Sequence, residues 1–138
     1  MWMALTGVVV GATPALNASE VGVDEHVAYW MGTVNSHPLK LIRRNAARVL
    51  GTLQNPVAIP SLIQALKDPF YGVRLEAARS LGLLGNEQAL ASLLDSTKTD
   101  PDILVKKAAH EAVERIKLHR EVLKKKEEKL QASPPANR

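Results

Sequence analysis

Asp68-Pro-Phe-Tyr-Gly-Val-Arg-Leu-Glu-Ala-Ala-Arg-Ser-Leu-Gly-Leu-Leu-Gly85 carries the pattern that decides the fold. Within it Val73, Ala77, Ser80, Leu81 and Leu84 follow one another at intervals of 4, 3, 1 and 3, the spacing of a single stripe along an α-helix. Moving back 31 residues gives Ile42, Ala46, Val49, Leu50 and Leu53, and moving forward 32 gives Val105, Ala109, Ala112, Val113 and Ile116. A unit of that length cannot bury its own apolar face and stacks on its neighbours, which makes the chain a repeat array.

A second stripe alternates with the first. Val27, Trp30, Met31 and Val34 are spaced 3, 1 and 3, and the spacing returns in Ile59, Leu62, Ile63, Leu66 and again in Leu90, Leu93, Leu94, Thr97. The chain therefore reads as helix pairs. A helix from Ser19 to about Asn35 is the second half of an incomplete leading repeat, with Trp30 at the place of Leu62 and Leu93. The first complete repeat runs from His37-Pro38 to Lys67, with Pro38 suited to the first helical position and a turn at Gln54-Asn55-Pro56. The second runs from Asp68-Pro69 to Thr99, with its turn at Gly85-Asn86-Glu87 and its second helix from Gln88 to about Thr97. A third begins at Asp100-Pro101, supplies only a first helix, and continues through Leu118, Val122 and Leu123 into Lys124-Lys-Lys-Glu-Glu-Lys129. Residues 19–123 are thus the repeat domain, and 124–138 a charged helix end, helped by a Glu121–Lys125 pair, with a disordered Pro-rich tail. The expected fold is all-α.

Composition agrees. The chain has 138 residues, 46% of them hydrophobic, but aromatic content is only 4%, so the interior is aliphatic and suits closely packed helices. The absence of cysteine excludes disulfides, Cys-ligated zinc and thiol catalysis. All 18 Lys and Arg lie from Lys40 onward, so the repeats are the basic part, although a net charge of +4 singles out no partner. Residues 1–18 are apolar and leave two readings open. The run Ala4 to Ala12 has the length of a signal-peptide core but lacks its basic start, and the alternative is a disordered segment or one that caps the first repeat. The apolar run is too short for a membrane span of ~20 residues, so the expected location is cytoplasmic, or exported if residues 1–18 act as a signal.

The motif of an Asp-Pro start, Val-Arg-x-x-Ala-Ala-x-x-Leu-Gly, then Asn and a Leu-rich second helix resembles the HEAT repeat, in the short bacterial form of phycobilisome-lyase-like HEAT proteins. The resemblance covers Val27 to about Leu123. It implies a right-handed α-solenoid of about three antiparallel helix pairs, with the second helices lining a concave face. In that family an Asp and an Arg six positions apart form a ladder between repeats. On that spacing Asp68 goes with Arg74 and Asp100 with Lys106, while His37 replaces Asp ahead of Arg43. These residues are expected to pack and cap, Lys106 less well because it lacks the bidentate fork. The exposed second-helix positions Ser61, Gln64, Lys67, Ser92, Asp95 and Lys98 are the expected partner-binding face.

Catalytic chemistry finds little to work with. His110-Glu111 is similar to the His-Glu pairs of deoxyhypusine hydroxylases, HEAT-like di-iron enzymes that surround their metals with several such pairs. Here the equivalent positions are Ala47-Arg48 and Ala78-Arg79, and one pair supplies at most two ligands where a non-haem iron site needs at least three. Gly82 and Gly85 end a helix and do not open one, so they form no phosphate loop. No cofactor or metal is expected. Lys40, Arg43, Arg44, Arg48, Arg74, Arg79, Lys106 and Lys107 line the first helices as a basic stripe, but Glu76, Glu111 and Glu114 interrupt it and no aromatics are interleaved, so nucleic-acid binding would be weak. The sequence points to a non-catalytic scaffold or adaptor for another protein. The resemblance implies, as the alternative, a bilin lyase-like accessory protein acting on phycobiliproteins.

Overall fold

The computed structural model describes residues 25–133. The N-terminal segment 1–18, the expected helix start at Ser19 and residues 134–138 of the tail lie outside the described residues. Within them the chain forms six α-helices: α1 (Glu25–Ser36), α2 (Lys40–Leu53), α3 (Ile59–Ala65), α4 (Tyr71–Leu84), α5 (Leu90–Thr99) and α6 (Ile103–Ala132). The first helices α2, α4 and α6 pack side by side as one layer. The second helices α1, α3 and α5 form the other, each resting on the first helix that follows it. This is a short all-α solenoid.

Each repeat opens with the same device. The side chain of His37, Asp68 or Asp100 accepts the backbone N–H two residues on, at 3.1 Å from Leu39, 2.8 Å from Phe70 and 2.9 Å from Asp102. That bond turns the chain into the first helix. It also moves the helix start: Pro38 does not occupy the first helical position, because Leu39 is still extended and the helix begins at Lys40.

The turns between paired helices also share one design. The first helix stops where Gln54 or Gly85 adopts a left-handed conformation, with φ of 52° and 64°. The side chains of Asn55 and Asn86 then accept the amides of Val57 and Gln88 at 3.0 and 2.8 Å. A 3₁₀ turn, Pro56–Ala58 or Glu87–Ala89, leads into the second helix.

Packing between first helices is close because small residues meet. Ser80, buried in the interface, donates from Oγ to the carbonyl of Ala47 at 2.7 Å. A Cβ on Gly51 would come within 2.9 Å of the Ser80 Cα, and one on Gly82 within 3.0 Å of the Ala112 Cα, so both glycines are contact points between backbones. Around them Leu50, Leu62, Leu81, Leu93 and Ile116 are fully buried, each worth about 2 kcal/mol of transfer free energy.

Burial fades at both ends for a physical reason. Ile42 and Val49 of α2 are half-buried, whereas their counterparts Val73 and Ser80 of α4 are buried between two first helices. At the other end, the positions that bury Ala47, Ala78, Gly51 and Gly82 are taken in α6 by His110 and Glu114, both exposed. The outward face of α6 is polar where its predecessors are apolar, as in a capping repeat. Trp30 is half-buried and donates from Nε1 to the His26 Nε2 at 3.0 Å, while its counterparts Leu62 and Leu93 are fully buried. No helix among the described residues is long and apolar enough to cross a membrane.

Candidate functional site

The side chains that tie the repeats together also floor the most built surface of the molecule. Arg43 donates from Nε and Nη2 to both carboxylate oxygens of Asp68, at 2.7 and 3.0 Å. Arg74 holds Asp100 in the same way, at 2.8 and 3.1 Å. Each arginine uses Nη1 to reach back to its own repeat: Arg43 to the carbonyls of His37 and Pro38, Arg74 to those of Asp68 and Pro69.

This corrects the pairing read from the six-residue spacing. The Asp68 carboxylate does not pair with Arg74; the spacing instead brings the Arg74 Nη1 to the Asp68 backbone carbonyl at 2.9 Å, while the Asp68 carboxylate is held by Arg43 of the preceding repeat and Arg74 holds Asp100 of the following one. Lys106 likewise makes no ion pair with Asp100. A residue at its position reaches toward the following repeat, as Arg43 and Arg74 do, and not back to the carboxylate before it.

Asp68 and Arg43 are 7% and 13% exposed. Burial pushes the Asp68 carboxyl up, but the Arg43 hydrogen bond, the Phe70 N–H and the charges of Arg43 and Arg74 together outweigh it and hold the group below the ordinary carboxylate range. The hydrogen bond to Asp68 raises Arg43 in turn, against its own desolvation.

Beside the Arg74–Asp100 pair lies an open groove of about 510 Å³ between α3 and α5, where Ile63, Leu66 and Ala91 sit among Lys67, Ser92, Asp95 and Thr99. Of the six positions expected on the partner face, Lys67, Ser92 and Asp95 line this groove. Gln64 and Lys98 are exposed outside its lining. Ser61 is half-buried, and its carbonyl accepts from the Asn35 Nδ2 at 2.9 Å, which binds α1 to α3. Ile63, Ala91 and Thr99 were not among the expected positions. The signal for them was present, since Ile63 belongs to the apolar stripe of α3, but a choice of polar positions alone passes over the apolar part of a groove.

The basic stripe is thinner in space than in sequence. Arg43 and Arg74 are occupied by the ladder, Arg79 pairs with Glu76 at 3.1 Å, and the Lys40 ammonium lies 4.7 Å from the centre of the Phe70 ring. His110 is exposed on α6, and among the described residues no group of three or more His, Cys, Asp or Glu is placed to hold a metal ion.

Two layers of helices in register, tied by a buried Arg–Asp ladder and presenting a groove on the second helices, define a helical-repeat scaffold. The chain belongs to the HEAT repeats family, which it matches over residues 32–114. Among solved structures it is similar to human deoxyhypusine hydroxylase in complex with glycerol, with 28% identity and a TM-score of 0.63 over 70% of this chain and 33% of that one. It is also similar to the complex of CpcE and CpcF of phycocyanin lyase from Nostoc sp. PCC7120, with 31% identity and a TM-score of 0.62 over 70% of this chain and 39% of that one. The chain therefore spans well under half the length of either solved chain. Comparison with curated proteins gives no match.

Proposed function

We propose that this protein is a non-catalytic adaptor that holds a protein partner in the groove between α3 and α5. The observation that carries the reading is the make-up of that groove, in which Ile63, Leu66 and Ala91 offer apolar contact and Lys67 and Asp95 place opposite charges along it. Such a surface fits an extended segment or helix that brings a carboxylate to Lys67 and a cation to Asp95. The test is affinity capture of the tagged chain from its native lysate at low and high salt, beside a Lys67→Glu/Asp95→Lys variant. Retention of one discrete protein at both salts, lost with the variant, supports the adaptor. Retention of nothing, or only of nucleic acid that leaves at high salt, overturns it.

A second reading rests on the 31% identity to the phycocyanin lyase complex. In it the same groove would receive a phycobiliprotein and assist bilin attachment or removal. Co-expression with a phycobiliprotein and bilin tests this. Bilin absorbance that stays with the biliprotein under denaturing conditions, and changes only when this chain is present, would move the function to the lyase-like class.

A further inference from the structure

Because the repeats stack in register and each connection into a first helix is short, α2, α4 and α6 all start on one margin of the molecule. Large apolar side chains stand out from that margin. Leu39, immediately before α2, is 62% exposed and Ile103, at the start of α6, is 73% exposed, and Leu41, Tyr71 and Leu104 are exposed beside them. All precede Ile42, Val73 and Val105, with which the buried stripe of each first helix begins, so none of them belongs to the core. Between α2 and α4 the margin forms an open shelf of about 480 Å³ lined by Pro38, Leu39, Pro69 and Phe70.

The charge left free on this margin is of one sign. Asp68 and Asp100 are bridged in the ladder, Asp102 accepts from the amides of Leu104 and Val105, and Glu76 pairs with Arg79. Lys40, Arg44 and Lys107 are exposed and form no ion pair among the described residues, and Lys67 and Lys98 are exposed where α3 and α5 end on the same margin. Exposed carboxylates begin farther back, at Asp95, a turn before the end of α5, and at Glu111, about two turns into α6.

Apolar and basic residues are also layered. On α2 and α6 the apolar side chains occupy the first turn, and Arg44 and Lys107 follow about 6 Å further in. This is the depth profile of a bilayer surface, where apolar side chains reach about 5–10 Å into the headgroup and acyl boundary and long basic ones extend back to the phosphates. A folded partner needs such side chains gathered in a groove. Here they stand singly on helix starts about 8–10 Å apart, which a fluid surface accommodates.

We infer that this margin is a membrane-docking surface, which seats Leu39, Leu41, Tyr71, Ile103 and Leu104 in the interface of an anionic bilayer with Lys40, Arg44 and Lys107 against the lipid phosphates. Attachment is peripheral and reversible. It does not depend on the adaptor reading, and it would hold the groove between α3 and α5 at the membrane. The other basic run, Lys124–Lys126, starts about 32 Å along α6 from the margin, several Debye lengths away. Its lysines are unpaired too, since the Glu121–Lys125 pair expected from sequence does not form among the described residues.

Co-sedimentation of the full chain with vesicles of phosphatidylcholine, with and without phosphatidylserine, tests the inference, and circular dichroism checks that each variant keeps its helix content. Binding is expected only with phosphatidylserine. Arg44→Ala and Lys107→Ala should each weaken it by about fivefold, and Leu39→Ser/Ile103→Ser by at least about tenfold. Lys124→Ala/Lys125→Ala/Lys126→Ala should leave it within about threefold. The chain has no cysteine, so Ile103→Cys and Leu118→Cys each accept one environment-sensitive fluorophore. Its emission should shift to the blue on the vesicles at position 103 and stay unchanged at 118. Equal binding to phosphatidylcholine alone, no binding to either vesicle, or a loss that follows the lysine run and not the margin would overturn the inference. So would binding that ignores Leu39→Ser/Ile103→Ser, because the margin would then be a surface for any polyanion.

Discussion

Arg43 and Asp68 stand 25 positions apart in different repeats, yet the guanidinium of one grips both oxygens of the other at 2.7 and 3.0 Å. The pair is nearly buried, and the same carboxylate also takes the N–H of Phe70 and so turns the chain into α4. One side chain thus sets the distance between repeats and starts the next helix. Asp68→Ala leaves a guanidinium and an amide without their acceptor and should cost about 3 kcal/mol. Urea denaturation measures it. A loss below about 1 kcal/mol would place the pair with ordinary surface ion pairs and remove the ladder from the account of stability.

The same pair gives the stability a defined acid limb. Asp68 is held below its ordinary value of 3.8, so it binds a proton less readily in the folded chain than in the unfolded one. Its contribution is complete above the unfolded value and is lost as pH falls through the lower, folded value. The stability gap between wild type and Asp68→Asn should therefore be constant near neutrality, narrow once the pH drops below 3.8, and close in stronger acid. Urea midpoints of both proteins over a descending pH series give the curve. A gap that widened toward acid would reverse the sign and show that Asp68 binds its proton more readily when folded.

Much of this was legible in the residues. Recurrence of the Val73, Ala77, Ser80, Leu81, Leu84 stripe located the three first helices, and Asn55 and Asn86 marked the turns that their side chains cap. Local signals of that kind act within a few residues. The ladder was less legible, because the six-residue spacing that marks it reports a bond from Arg74 to a backbone carbonyl, while the carboxylate partner lies a repeat away and depends on how repeats stack. For the groove, the expected positions Lys67, Ser92 and Asp95 fall in its lining, but Ala91 and Thr99, which also line it, were not among them. Periodicity locates helices. It carries no information about the width of the gap between them.

The contact between α2 and α4 turns on Gly51. Alanine is the better helix former by about 1 kcal/mol, and at Gly32 in α1, where an added Cβ meets nothing within 4 Å among the described residues, Gly32→Ala should raise stability by roughly that amount. At Gly51 the new carbon would lie 2.7 Å from the Ser80 Cβ and 2.9 Å from its Cα, and Ser80 is pinned by its bond to the Ala47 carbonyl. Overpacking of this kind costs about 1–3 kcal/mol, which exceeds the propensity gain. Gly51→Ala should therefore lower the melting temperature while Gly32→Ala raises it. Shifts of the same sign in both would show that the two helices part easily.

Gln54 occupies the place in its repeat that Gly85 occupies in the next, and both adopt positive φ at the end of a first helix. Glycine accepts that conformation without penalty. A residue with a Cβ is crowded by the following carbonyl, at a cost of about 1–2 kcal/mol in the left-handed region. Gln54 is exposed, and among the described residues no hydrogen bond of its side chain offsets that strain. Gln54→Gly should accordingly stabilise the protein, by somewhat less than the strain because glycine also gives the unfolded chain more freedom; a gain of about 0.5–1 kcal/mol is expected. Gly85→Gln makes the reverse change at the equivalent turn and should cost a similar amount, because the φ of 64° carries the strain while an added Cβ would meet the His119 ring only at an ordinary contact distance of 3.5 Å. Thermal denaturation of the two single variants and of the exchanged pair separates the contributions. If Gln54→Gly proved neutral or destabilising, the turn after α2 would be held by something other than its backbone conformation, and the equivalence of the two turns would fail at that point.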